Sequence, residues 1–134
     1  MLTSSTQYIT LSEGETRDLV FINEPNMDWH IIQQAQSTLR VHILFIAEND
    51  DTAHWQSQLL VEQNAEGCRT EIYAMGLLHH TQQAHLLTRV RHNIGGGYSP
   101  QVLKFVLDDQ SKGSFCGELK ILPDAQLTEA YQTN

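Results

Sequence analysis

Seven histidines and two cysteines carry most of the metal-binding potential of this 134-residue chain. The tightest group is His79, His80, His85 and His92. A zinc centre needs about four ligands converging tetrahedrally. Adjacent His79 and His80 point to opposite faces of a strand or sit together on a turn, so at most one of them joins such a centre. The chain contains no His-x-His pair and no His-Glu-x-x-His. Structural or surface histidine is therefore the better reading, and His79, His85 and His92 stand as weak metal candidates. Cys116 is the fourth weak candidate, as a thiolate ligand. Cys68 and Cys116 lie far apart, and without a leader for secretion free thiols are favoured over a disulfide.

Other constellations carry less. The run Asn93-Ile94-Gly95-Gly96-Gly97 lacks the following Gly-Lys-Ser and helix start that a phosphate cradle requires, and it reads as a turn between strands. His85, Arg89 and Arg91 form a small basic stripe whose ordinary fate is pairing with neighbouring glutamates. No Ser-His-Asp pattern, paired-carboxylate motif or nucleotide fingerprint stands out. No catalytic residue is assigned, and no cofactor is expected to be bound by the chain itself.

Composition narrows the class of partner. Net charge is −8 with eight Lys plus Arg, 18% of residues are charged and 40% are hydrophobic. Nucleic acid and anionic membrane both demand clustered basic side chains, so neither is expected as a partner. No apolar run approaches the roughly 20 residues that span a bilayer. Met1 to Gln7 has neither the basic start nor the apolar core of a signal peptide. The expectation is a cytoplasmic domain.

The elements that must position these residues read as short strands. Turn signals recur at Glu24-Pro25-Asn26, Asn49-Asp50-Asp51, Asn64 to Gly67, Gln82-Gln83, Gly95 to Gly97, Asp108 to Gly113 and Pro123-Asp124. From Asp50 onward they fall about 14 to 16 residues apart, each gap holding one strand-length segment. Between them side chains alternate. Leu39, Val41, Ile43, Phe45 and Ala47 share a face, as do Trp55, Ser57, Leu59 and Val61. Leu86, Thr88 and Val90 do the same, followed by Leu103, Phe105 and Leu107, then by Phe115, Gly117, Leu119 and Ile121. That parity turns Cys116 outward with Glu118 and Lys120, and puts His42 and His54 on solvent faces. Tyr8 to Leu11 and Leu19 to Ile22 read as opening strands. Ala53 to Glu66 and Asp124 to Gln132 also carry helical features, with strand modestly preferred for both. The fold class is all-β. Periodicity alone fits a solenoid, in which each coil buries its apolar face against the next, or a sandwich or jelly roll.

The C-terminal third decides between them by resemblance. Thr88-Arg89-Val90-Arg91-His92, Lys104-Phe105-Val106-Leu107 and Phe115-x-Gly117-x-Leu119-x-Ile121 are similar to the strands of the SufD/SufB core family of iron–sulfur cluster assembly scaffolds. Ala125-Gln126-x-Thr128 and Ala130-Tyr131-Gln132-Thr133-Asn134 continue the likeness, which is closer to SufD than to SufB. Phe105 stands where the family usually has Gly. The resemblance implies a right-handed parallel β-helix over a single domain, 1–134, with opening strands in 1–28 and solenoid coils in 29–134. In the family the chain continues past the final Asn into the Cys or His region tied to cluster assembly, and then into helices that dock the SufC ATPase. None of those residues has a counterpart here.

The resemblance thus implies a SufD-like scaffold or binding subunit without catalytic residues, meeting any iron–sulfur cluster transiently and through its partners. The expected partner is a SufB- or SufD-like chain, with SufC-like ATPase reached only indirectly. A solenoid stopping at its last coil leaves an unpaired edge, so a homo-oligomer is expected through Leu127, Thr128, Ala130, Gln132 and Asn134. The alternative function is a cupin or jelly-roll enzyme or sugar-binding domain with a histidine metal site.

Overall fold

In the computed structural model the described residues are 6–24, 26–46 and 53–122, together with the backbone of 129–133. Alternating side chains fold into ten strands. They are β1 (Gln7–Leu11), β2 (Thr16–Ile22), β3 (Asp28–Gln33), β4 (Thr38–Ile46), β5 (His54–Gln63), β6 (Arg69–Leu78), β7 (Gln83–His92), β8 (Tyr98–Leu107), β9 (Lys112–Ile121) and β10 (Glu129–Thr133). Odd strands form one five-stranded sheet in the order β1-β3-β5-β7-β9, and even strands form a second in the order β10-β8-β6-β4-β2. Every pairing is parallel. Each coil therefore supplies one strand to each sheet, and the protein is a parallel β-solenoid. Sandwiches and jelly rolls pair their strands antiparallel, so that alternative is excluded. Ala53 to Glu66 resolves as strand β5, its helical composition overridden by pairing on both sides. The segment 124–128 lies outside the described residues, and 129–133 is strand.

The coils stack in register. His54 pairs with Gln83 and Gln83 with Lys112, and the same 29-residue step links Asn64 with Asn93, whose side chain donates to it at 2.5 Å. At one row of corners a left-handed residue recurs: Gly14 (φ 74°), Gln36 (58°), Gly67 (73°) and Gly96 (81°). This conformation costs little for glycine and lets the chain leave one sheet and enter the other within a few residues. At the opposite corners Asn23, His80 and Asp109 take the same conformation. Backbone bonds continue the ladder around the bends, as with Gln36 N–H to Glu66 O at 3.0 Å.

The space between the sheets divides into an aromatic end and a polar end. Starts of odd strands and ends of even strands bring together Trp55 with Phe45 and Phe105 with Phe115. Ends of odd strands and starts of even strands bring together Gln33, Gln63, Thr70, His92 and Ser99, all at 0% exposure. The aliphatic side chains of Ile31, Val41, Leu59, Ile72 and Val90 fill the middle. Leu107 and Ile121, expected to face inward, are 47% and 48% exposed. They sit in the last full coil, where β9 is the terminal strand of its sheet and no following odd strand among the described residues covers it.

Candidate functional site

The four candidate metal ligands occupy three environments. Cys116 and His85 lie on the outer face of the odd-strand sheet and line a shared groove of about 570 Å³. Register places His85 beside Ser114 and Leu87 beside Cys116, so the two candidates stand one row apart on neighbouring strands. Asp28, Gln56, Gln58, Ser114 and Glu118 are among the other polar groups of the lining. His79 lies in the turn between β6 and β7, its ring 4.6 Å from that of His80 in an edge-on arrangement. His92 is fully buried between the sheets. Among the described residues no group of three His, Cys, Asp or Glu side chains stands close enough to hold a metal ion.

The outer face around the groove is organised by charge pairs across strands. The Arg89 guanidinium meets Glu118 at 3.0 Å, and Arg91 meets Glu62 at 3.5 Å. Glu62 also pairs with His30 at 2.8 Å. Burial pushes the Glu62 carboxyl up, but the hydrogen bond and charge of His30, with Arg91 behind them, hold it below the usual carboxylate range. The basic stripe of the sequence is thus absorbed by neighbouring glutamates. What remains in the groove is a set of amides and hydroxyls, the Asp28 carboxylate, an imidazole and an exposed thiol, groups that can hydrogen-bond an extended polar partner.

The polar end of the interior is a second constellation, and sequence parity located only part of it. Gln63 Nε2 donates to Thr70 Oγ1 at 2.9 Å and to Tyr98 O at 3.2 Å. One coil earlier Gln33 Nε2 donates to Arg69 O at 3.0 Å, and its Oε1 accepts from Thr70. One coil later His92 Nε2 lies 2.6 Å from Ser99 Oγ. Gln33, Gln63 and His92 share one register row, and Thr70 links the two glutamines by accepting from Gln63 and donating to Gln33. Thr88 adds a bond to Gln101 Oε1 at 2.6 Å. Burial lowers the His92 pKa from its ordinary value, so the ring is held neutral. Cys68 also lies inside, within reach of the Gln34 and Ala65 carbonyls at 3.2 and 3.3 Å, and burial pushes its thiol up. Both cysteines are free thiols. These enclosed groups serve stacking rather than contact with solvent.

Of the expected interface residues, Leu127, Thr128 and Asn134 lie outside the described residues. Ala130 and Gln132 belong to β10 and pair in register with Ser99 and Gln101. Gln33 and Gln63, the centre of the interior ladder, went unmarked in the sequence. The available signal was their position as the last inward residue of a strand, followed by Asn or Gln at the bend.

A solenoid whose coils pair in parallel, stack amides and hydroxyls inside and bear polar ladders outside is a protein built for surface rather than for an enclosed pocket. Residues 25–134 match the family model described as SUF system FeS cluster assembly, SufBD core domain. The match covers all strands from β3 onward, and the chain belongs to this family. Its members work in SUF complexes with SufB, SufD and SufC partners, in iron–sulfur cluster assembly. No curated protein and no solved structure matches the chain.

Proposed function

We propose that the chain is a SufD-like, non-catalytic scaffold or binding subunit of cytoplasmic iron–sulfur cluster assembly. The observation that carries this reading is the coincidence of the family match, 25–134, with the stacked coils β3 to β10. The family portion holds eight of the strands described, β3 to β10, and β1 and β2 extend the same two sheets ahead of it. A cluster is cargo in this scheme, met through partners, and Cys116 in its groove contributes an exposed thiol to the same face.

The partner surface is the terminal coil. Among the described residues β9 is the terminal strand of its sheet, with β7 as its neighbour. A second coil from a SufB- or SufD-like chain, or from another copy of this one, extends the stack there and covers the half-buried Phe115 and Leu119. SufC-like ATPase is reached through such a partner.

Copurification of tagged chain with SufB-, SufD- and SufC-like proteins tests the scheme. Retention of a SufB- or SufD-like chain is expected. No association at micromolar concentration, with folding verified by circular dichroism, overturns it. Light scattering of the chain alone should show a dimer or larger species, and a monomer contradicts self-assembly through the last coil.

A further inference from the structure

The outer face of the even-strand sheet is not uniformly polar. Near the strand starts it carries an ion network: Arg40 meets Asp18 at 3.5 Å and Glu71 at 3.1 Å, while Arg69 meets Glu71 at 3.3 Å. Toward the strand ends this pattern stops. Register aligns Val20 with His42 and Tyr73 with Val102 in one row, Ile22 with Leu44 and Met75 in the next, and Leu77 with Val106 in a third. Val20, Ile22, Met75, Leu77, Val102 and Val106 are between 39% and 60% exposed. Neighbouring strands in a sheet lie about 4.8 Å apart, so these side chains form one strip rather than scattered points. A contiguous exposed apolar strip marks a site of interaction.

At the strand ends the rim of the strip carries carboxylates, while Arg40 and Arg69 border it on the side of the strand starts, paired with Asp18 and Glu71. Exposed Glu24 follows β2, and exposed Asp108 and Asp109 follow β8. The chain as a whole is at −8. Among the described residues of the strip Lys104 is the one lysine or arginine. We propose that this face docks a protein segment with an apolar stripe flanked by Lys and Arg, in the manner of a cationic amphipathic helix laid on the sheet. Apolar burial supplies the affinity, and the carboxylate rim steers the approach. A second copy brings the same acidic rim and the same net charge, which disfavours self-packing here, and an anionic bilayer is repelled. The surface is distinct from the edge of the last coil and does not depend on the proposed scaffold role.

The test titrates the full chain with three labelled peptides of about 18 residues, a length that forms several helical turns. One is an amphipathic Leu/Lys helix, one carries Glu in place of Lys, and one keeps the Leu/Lys composition with its period scrambled. Only the first should bind, more weakly as salt rises. The triple variant Ile22→Thr, Met75→Gln, Val106→Thr should bind it about tenfold more weakly or worse. Tyr8→Thr on the opposite face should leave binding unchanged. Equal binding of the scrambled or acidic peptide, no binding of any, or an unaffected triple variant overturns the proposal. So does a dimer, or binding to phosphatidylcholine vesicles, that the triple variant abolishes. Should that variant fail to fold, the paired change Asp108→Asn, Asp109→Asn carries the test. It must weaken binding of the Leu/Lys helix and flatten its salt dependence, and an unchanged titration overturns the proposal.

Discussion

The two ends of the solenoid interior solve the same stacking problem by different means. At the aromatic end Phe45 packs on Trp55 with ring centroids 5.6 Å apart, and Phe105 lies parallel to Phe115 at 3.9 Å. A Cβ on Gly76 or Gly113 would collide with the Phe105 ring, so both glycines make room for it. At the polar end Gln33, Gln63 and His92 repeat through three coils, each tied to a strand start opposite. Apolar burial is strong but tolerant of slippage, because one ring fits beside another in several offsets. Amide and hydroxyl ladders contribute little net energy yet heavily penalise a shift that leaves a buried partner unpaired. The aromatic end supplies cohesion and the polar end specifies register.

The largest effect should come from truncation at the aromatic end. Phe45 is 1% exposed, and Phe45→Ala should cost about 3–5 kcal/mol in urea unfolding through lost burial and the cavity left behind. A loss below about 1 kcal/mol would show that the coils rely on backbone ladders instead.

A smaller but still substantial effect belongs to Gly97, which closes the polar end. A Cβ there would collide with Gln63 Oε1 and His92 Nδ1. Gly97→Ala should cost about 1–3 kcal/mol by overpacking, read as a lower urea midpoint at unchanged slope. Full stability of that variant would mean the ladder has slack and does not specify register.

His92 makes the polar end sensitive to acid. Its pKa is lowered from 6.5 by burial, so the unfolded chain binds the proton more readily than the folded one. The stability it sets is fully present above about pH 6.5 and declines as pH falls toward the lower folded value. His92→Gln extends the Gln33–Gln63 row and removes the titration. Between neutral and mildly acidic pH the melting temperature of the wild type should fall relative to that of the variant, and a constant difference would refute the assignment. The smallest effect is expected outside both ends: Arg89→Ala, breaking a pair with Glu118 in which both side chains are about half exposed, should cost about 0.2–1 kcal/mol and less in high salt.

Much of this architecture was legible in the chain. Alternation in Leu39 to Phe45, Trp55 to Val61 and Leu86 to Val90 reports strands with one face inside, and all three are buried as expected. Cys116 is outward, as its parity requires. β6 was harder to see. Its outer positions Tyr73, Met75 and Leu77 are nearly as apolar as its inner positions Ile72, Ala74 and Leu78, so a period of two barely shows. The same blurring is what reveals the docking strip once the sheet is assembled. β3 is short and begins with Asp28, Trp29 and His30, all partly buried, so it carries little contrast.

By itself the sequence determined the strand class, the inward parity of most strands, the acidic charge and the family, because these depend on local period and composition. Only the tertiary structure decided which rows those residues share. His92 reads as one histidine among seven until a 29-residue step sets it on Gln63 and a bend brings Ser99 across to it. His85 and Cys116 become groove neighbours, and Val20 and Val106 members of one strip, for the same reason. Contacts in a parallel solenoid join residues a whole coil apart, and local alternation does not say which of them meet.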